Sequence, residues 1–179
     1  MALWLNLIGY QAVWFAAVMG AGQGLTWPAV IAAGVFVALQ LAWSRQWRAD
    51  LWLVLAALVC GLLLDGALTA SGLLRHTASS PALPPGGAPV WILAVWIAFA
   101  LTLNHSMGWL RRRPVLAWLA GAVGGPLAYW GAARGWRAVI FETPVIYTVA
   151  WLSAGWSIAL VLLATVARHM SDEQREAAA

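Results

Sequence analysis

Six stretches of the chain are dominated by apolar side chains and are separated by short groups of polar or charged residues. They cover residues 3–21, 27–44, 51–73, 89–110, 114–133 and 144–168. A helix needs about 20 apolar residues to cross about 30 Å of hydrocarbon, so this pattern predicts six transmembrane helices. Proline fits the first turn of a helix, where its missing N–H costs nothing, and four predicted helices begin at or beside one. These are Pro28, Pro89, Pro114 and Pro144.

The composition also indicates a membrane protein. Hydrophobic residues make up 63% of the chain, charged residues make up 9%, and the mean hydropathy is +0.80. Soluble domains hold roughly 45–50% apolar and about 25% charged residues. The 14 tryptophans are typical of the boundary between hydrocarbon and headgroups. The single cysteine, Cys60, excludes an intramolecular disulfide and dithiol redox chemistry within this chain.

The arginines set the expected orientation. With six spans, seven arginines lie on the side of both termini and three on the other: Arg45, Arg48, Arg111, Arg112, Arg113, Arg168 and Arg175 against Arg75, Arg134 and Arg137. By the positive-inside rule, both termini are cytoplasmic. We therefore predict an all-α, polytopic bundle of six transmembrane helices, with residues 1–170 as one domain and 171–179 as a cytoplasmic tail. The arginines sit in short loops between apolar segments, so we expect membrane lipids as partners and no nucleic acid.

The two loops expected on the outer side differ in character. Residues 75–89 are rich in proline, glycine and serine, which predicts a flexible connector or a partly ordered lid. Residues 134–143 are more apolar, and we expect them to lie along the membrane interface.

The fourth predicted helix carries polar residues near its cytoplasmic end. On a helical wheel one arc should face lipid, and it consists of Trp96, Phe99, Ala100, Leu103, Met107 and Leu110. Asn104, His105 and Ser106 fall on the other side and should point into the bundle, because polar groups in hydrocarbon need partners. At about 1.5 Å per residue, His105 lies about 22 Å from the outer end of this helix.

Asn6 of the first helix and Gln40 of the second are expected at the same depth as Asn104 and His105. The four side chains would then form one inner polar cluster. Two interpretations stay open: hydrogen bonds that fix helix packing, or a site for proton transfer or ligand binding.

Asp65 is the other polar anomaly. A carboxylate at the centre of a membrane helix costs about 2.5–3.5 kcal/mol on insertion scales. Asp65 lies about 21 Å along the third helix, toward the outside, so we expect it to be too far from His105 for a direct pair. Its alternatives are a structural ion pair, a functional carboxylate, or snorkelling to water. The candidate partners at the outer end are Arg75, Arg134, Arg137 and Tyr129.

The fifth helix contains a potential break. The segment "GAVGGPLAY" at 121–129 places Gly124 and Gly125 directly before Pro126, which predicts a kink or local unwinding. Such breaks line binding sites in transporters, and a simple packing kink is the alternative.

Several classes of enzyme are excluded by the residues present. Three histidines cannot build the histidine-rich di-metal centre of membrane desaturases, and no HExxH or cysteine/histidine zinc spacing occurs. There is no GxSxG elbow and no P-loop. We therefore expect neither a metal nor a cofactor.

Four segments together resemble a known family: "NLIGYQAVWFAAVMGA", "LLLDG", "APVWILAVWIAFALTLNHSMGWLRRRP" and "GAVGGPLAYWGA". The chain is similar over nearly its whole length to the bacterial inner-membrane proteins grouped as domain of unknown function 2878. The resemblance implies a multi-pass protein of the bacterial inner membrane and an association with fatty-acyl or lipid modification, and it transfers no activity. The matching positions are Asn6, Gln11, Trp14, Asp65, Asn104, His105, Ser106, Gly124, Gly125 and Pro126.

Three functional hypotheses remain. The preferred one is a protein that binds or moves a lipid-like or small hydrophobic molecule, or supports a lipid-modifying partner enzyme. Its candidate ligand-binding residues are Asn6, Gln11, Gln40, Ser106, Gly124, Gly125, Pro126 and Tyr129. The second is a membrane enzyme of acyl-chain or lipid modification, with His105 as acid/base and Asp65 or Asn104 orienting the substrate. The third is a structural subunit.

Overall fold

The computed structural model describes residues 3–44, 46–142 and 144–176, and the side chains of the last helix as far as Asp172. Six α-helices account for most of it: α1 (Leu3–Gly22), α2 (Trp27–Trp43), α3 (Trp47–Ala70), α4 (Val90–Leu103), α5 (Pro114–Trp136) and α6 (Val145–Glu176). A 3-10 helix, Gly108–Arg112, connects α4 to α5. Arg45 and the side chain of Arg175, both counted for the expected orientation, fall outside the described residues and side chains.

Four helices are long and apolar enough to cross a membrane: α1, α3, α5 and α6. The other two, α2 and α4, are shorter apolar helices. At 14 residues, α4 is only about 21 Å long. The helices are thus compatible with a membrane protein.

The helices run alternately between two ends of the bundle. At one end, the start of α1 meets the end of α2 through a hydrogen bond from Asn6 to Gln40. The end of α6 reaches the 3-10 helix there, through Arg112 and Asp172. We call this the arginine end. At the other end, Gly22 of α1 lies against the Trp136 carbonyl of α5. Thr148 of α6 donates there to the carbonyl of Leu73, just after α3.

Short strands cover the second end, which we call the cap end. β1 (Leu74–His76) pairs antiparallel with β4 (Val139–Phe141), and β2 (Ala82–Leu83) pairs with β3 (Ala88–Pro89). The pairing joins the two loops that the sequence predicts on the outer side. Backbone pairing with residues 139–141 holds the start of segment 75–89, and the pairing of β2 with β3 holds its end. Of the two predicted alternatives, this contradicts the flexible connector and agrees with the partly ordered lid.

Helix α4 is the central helix of the bundle, in contact with α1, α2, α3 and α6. Twelve of its residues, all but Val90 and Ile97, are buried. The prediction that Trp96, Phe99, Ala100 and Leu103 face lipid is therefore wrong. A helix that is apolar on every side fits the middle of a bundle, where each face meets another helix.

Three predicted helix ends also differ in the structure. Helix α4 stops at Leu103, and Asn104 caps it, so the predicted span to residue 110 is wrong. Helix α3 starts at Trp47, one turn before the predicted start, and α6 continues to Glu176, into the segment predicted as a solvated tail. Helix α5 is uninterrupted through Pro126, so no local unwinding occurs.

Close helix contact depends on glycines at the centre. Trp96 of α4 and Trp156 of α6 stack with ring centroids 4.2 Å apart. A Cβ on Gly61 would lie 2.6 Å from the Trp96 ring, and one on Gly125 would overlap the Trp156 ring. The two glycines thus make room for a tryptophan pair that joins α3, α4, α6 and α5.

Candidate functional site

A fully buried carboxylate organises the polar residues at the arginine end. Asp50 lies in the first turn of α3, and its side chain accepts three hydrogen bonds. Asn104 Nδ2 donates to Oδ1 at 2.8 Å, while Ser44 Oγ and His105 Nε2 approach Oδ2 at 2.5 and 3.2 Å. Because α4 ends at Leu103, the turn after it brings Asn104 and His105 to the start of α3.

The contacts of His105 define its chemistry. Its side chain is 13% exposed, and Nε2 is the ring nitrogen that faces Asp50. A carboxylate accepts hydrogen bonds, so Nε2 carries a hydrogen and Nδ1 of the neutral ring keeps a lone pair. In such an arrangement, the Asp50 carboxylate orients the His105 ring, and Nδ1 can act as a base.

Asn6 forms a second group next to this one. Its amide nitrogen donates to Gln40 Oε1 at 3.0 Å and to the Leu101 carbonyl at 3.3 Å. Its amide oxygen accepts from Ser106, from Oγ at 2.5 Å and from the backbone N–H at 3.3 Å. Asn6 is therefore fully hydrogen-bonded and ties α1 and α2 to the turn after α4. We call the two groups together the inner polar site.

Two polar atoms of the inner polar site have no hydrogen-bond partner among the described residues. They are Gln40 Nε2 and Asn104 Oδ1. One is a donor and the other an acceptor, so this site offers both kinds of group to a water or a ligand.

Asp65 forms a separate site in the half of the bundle toward the cap. It is fully buried and accepts hydrogen bonds from Trp96 Nε1 at 2.7 Å and from the Tyr129 hydroxyl. Of the four candidate partners, the structure supplies Tyr129. Arg75 pairs instead with Glu142, and Arg134 lies over the ring of Trp130.

The structure therefore gives Asp65 no ion pair within the described part of the chain, so of the three alternatives the ion pair is wrong. Snorkelling to water is also wrong, because Asp65 is fully buried, and the functional carboxylate stays a prediction. Neutral aromatic donors satisfy the carboxylate instead. By holding Trp96, Asp65 also fixes the tryptophan stack, which accounts for a polar residue in the bundle interior.

The remaining candidate ligand-binding residues do not lie together in one site. Gln11 is exposed on α1. Gly124 is exposed on α5 with nothing within 4 Å of its Cβ position, and Gly125 packs against Trp156. Pro126 is half-buried. Asn6, Gln40 and Ser106 belong to the inner polar site, whereas Tyr129 belongs to the Asp65 site.

An apolar groove runs between α3 and α6, which we call the α3–α6 groove. It has a volume of about 430 Å³. Its lining combines small residues with large apolar ones: Cys60, Ala67, Ala154, Gly155 and Ala159 with Leu63, Leu64, Trp151, Ile158 and Leu162.

The family model described as "Protein of unknown function (DUF2878)" matches residues 3–162, which include nearly every element of the structure. The chain belongs to this family. The match confirms the resemblance seen in the sequence. No curated protein and no solved structure matches the chain.

Sequence reasoning missed the residue on which the inner polar site of this DUF2878 chain depends. Asp50 follows Arg45 and Arg48, so the sequence pattern places it in a charged loop before a helix starting at Leu51. The available signal was the acidic residue itself, since an acid in the first turn stabilises a helix. The structure places Asp50 in that turn and buries it completely.

Proposed function

We propose that this DUF2878 protein spans the bacterial inner membrane six times, with its arginine end in the cytoplasm. All six helices run between the two ends. Helix α4 is short, and the turn and 3-10 helix that follow it complete the distance to the arginine end. Of the arginines with described side chains, five lie at the arginine end and three at the cap end: Arg48, Arg111, Arg112, Arg113 and Arg168 against Arg75, Arg134 and Arg137. This bias supports the orientation.

Within that membrane, we propose that the protein binds a lipid-like molecule whose hydrocarbon chain lies in the α3–α6 groove. The groove itself is the observation that carries this proposal. Ligand pockets generally measure roughly 300–1,000 Å³ and are mostly apolar, and the groove falls within that range. The groove lies between two helices that are long enough to cross the membrane, so it faces the hydrocarbon chains of the bilayer.

The chemistry of the groove suits a chain with no polar group at this depth. Leu63, Ile158 and Leu162 are exposed at its edge, and the indole N–H of Trp151 is already directed at the Leu64 carbonyl, 3.4 Å away. Small residues such as Ala67 and Ala154 leave the space that a chain would occupy. In this proposal, the protein presents the bound lipid to a lipid-modifying partner enzyme and so supports that enzyme.

The test is to fill the groove. Ala154 lies in the groove and is exposed, so Ala154→Trp occupies it without disturbing the core. Ala12 is exposed on α1, outside the groove, and Ala12→Trp is the matched control. Electron paramagnetic resonance of spin-labelled stearate in vesicles measures the motionally restricted fraction of the probe. We expect Ala154→Trp to lower that fraction and Ala12→Trp to leave it unchanged. Equal values for both variants would refute binding in the groove.

A second candidate function is acid–base catalysis on a lipid, favoured by the contact between Asp50 and His105. Asp50 is the carboxylate next to His105, and the amide of Asn104, predicted with Asp65 to orient the substrate, donates to Asp50. In this proposal Nδ1 of His105 exchanges a proton with the substrate.

Lipid extracts of cells that produce the protein test this candidate. A lipid species that depends on the wild-type chain should disappear with His105→Gln, while the folded yield stays unchanged. If the lipid profile is the same with and without the chain, the catalytic proposal fails. If His105→Ala lowers stability, His105→Gln restores it and the lipid species persists with His105→Gln, the pair has the purely structural role of the third hypothesis.

A further inference from the structure

A pocket rich in arginine lies at the arginine end, between the 3-10 helix and the last part of α6. Its volume is about 310 Å³. The residues that matter for its chemistry are Trp109, Arg111, Arg112, Arg113, Arg168 and Ser171. None of them lines the α3–α6 groove, so a ligand in this pocket is independent of a lipid chain in that groove.

Four arginines line this pocket, and among the side chains described as far as Asp172, the Asp172 carboxylate pairs with two of them, Arg112 and Arg168. One of its oxygens lies 3.4 Å from Arg112, and the other lies 3.7 Å from Arg168. Both arginines remain more than half exposed, so their further N–H donors can reach a ligand. An anion in the pocket would be attracted by the exposed guanidinium groups of Arg112 and Arg168.

The start of α5 adds to this field. Arg113 occupies the N-cap position and Pro114 opens the helix, with no acidic residue in the first turn and no side-chain cap. A helix N-terminus carries partial positive charge and favours an anion. The partial positive charge at this helix start therefore adds to the attraction of an anion by the neighbouring arginines.

The depth of the pocket indicates which anion is available. Trp109 is 52% exposed beside the arginines, and exposed tryptophans favour the headgroup level of a membrane. Guanidinium groups match the planar, two-point geometry of phosphate oxygens. A phosphate group therefore suits the exposed guanidinium groups of Arg112 and Arg168.

We propose that this arginine pocket binds a phosphate group carried by the headgroup of a membrane lipid. The lipid approaches from the membrane side past Trp109, and its phosphate lies between the 3-10 helix and α6. The site fastens the end of α6 to the segment between α4 and α5.

Native mass spectrometry of the full chain in maltoside micelles, which contain no phosphate, tests this proposal. The probes are phosphatidic acid, oleate as an anionic lipid without phosphate, and inorganic phosphate. We expect saturable binding of phosphatidic acid, at least about tenfold tighter than that of oleate, because each charge-assisted contact is worth roughly one factor of ten. Equal binding of oleate would overturn the phosphate assignment. If inorganic phosphate binds as tightly as phosphatidic acid, the lipid source is refuted and a soluble phosphate takes its place.

Two variants locate the binding. Arg168→Gln removes a pocket arginine, and Arg48→Gln removes one at the same end of the bundle but outside the pocket. Arg168→Gln should weaken phosphatidic acid binding about tenfold, whereas Arg48→Gln should change it less than about twofold. Circular dichroism checks that both variants keep the helical content of the wild type. Equal losses in the two variants would show that the general positive charge of this end, and not the pocket, attracts the lipid.

Discussion

Removing the Asp50 carboxylate should destabilise the protein more than removing any exposed acid. Asp50→Ala leaves three donors without their acceptor, from Ser44, Asn104 and His105. Ser44 and His105 are partly exposed and can turn to water, but Asn104 is only 6% exposed. A buried donor left unsatisfied costs about 1–3 kcal/mol, and a hydrogen bond to a charged group contributes about 1.5–3 kcal/mol. We therefore expect a loss of about 3 kcal/mol in the free energy of unfolding.

Asp50→Asn should recover part of this loss. The new amide keeps one acceptor, and Asn104 can rotate its unpartnered Oδ1 toward the new N–H group. The matched control is Asp172→Ala, which removes an exposed acid at the same end that pairs with Arg112 and Arg168. Exposed ion pairs contribute little, so this variant should lose no more than about 0.5 kcal/mol.

The assay is reversible unfolding in mixed maltoside and dodecyl sulfate micelles, followed by tryptophan fluorescence. The expected order of stability is wild type, Asp172→Ala, Asp50→Asn and Asp50→Ala, from highest to lowest. If Asp50→Ala loses no more than Asp172→Ala, the three hydrogen bonds do not support the fold, and the reasoning on the inner polar site is refuted.

Two further predictions concern the packing of α5 and the cap. Gly121→Ala places a Cβ in overlap with the backbone oxygen of Trp156, so overpacking should lower the free energy of unfolding by about 2 kcal/mol. Gly124→Ala meets nothing within 4 Å and should be neutral or stabilising by up to about 1 kcal/mol. Equal thermal melting temperatures for the two variants would contradict this prediction. Burial lowers the pKa of His76 to about 4, below its value of about 6.5 in an open chain, so the open form binds more protons between these pH values. The free energy of opening the cap should therefore fall by about 3 kcal/mol in total as the pH drops from about 6.5 to about 4. Faster amide hydrogen exchange in β1 measures this loss. The same pH dependence in His76→Gln would show that His76 is not the group responsible.

The sequence predicted helix positions well because each helix is a run of apolar residues bounded by prolines or polar residues. Helices α1, α2 and α5 start at the predicted residues, and Pro114 opens α5. The same property hid the role of α4. A segment that is apolar all round can face lipid or other helices, and hydropathy is equal in both cases. Only the arrangement of the neighbouring helices shows that α4 is central.

The sequence predicted most residues of the candidate site but few of the hydrogen bonds between them. Depth along the helices brought Asn6 and Gln40 together, and the structure joins them by a hydrogen bond. The link between Asp50 and His105 spans 55 positions and requires α4 to stop before His105. Asp65 likewise finds Tyr129 64 positions away. Such pairs depend on tertiary packing, which no local pattern in one sequence encodes.

The most direct test of lipid binding in the α3–α6 groove is an inventory of the lipids that remain on the purified protein. Mass spectrometry would compare the lipids released from the wild type, from Ala154→Trp and from Ala12→Trp with those of the membrane of origin. The groove predicts that the wild type and Ala12→Trp retain a lipid species enriched over that membrane, and that Ala154→Trp loses it. A lipid profile that matches the bulk membrane in all three proteins would contradict the proposed function.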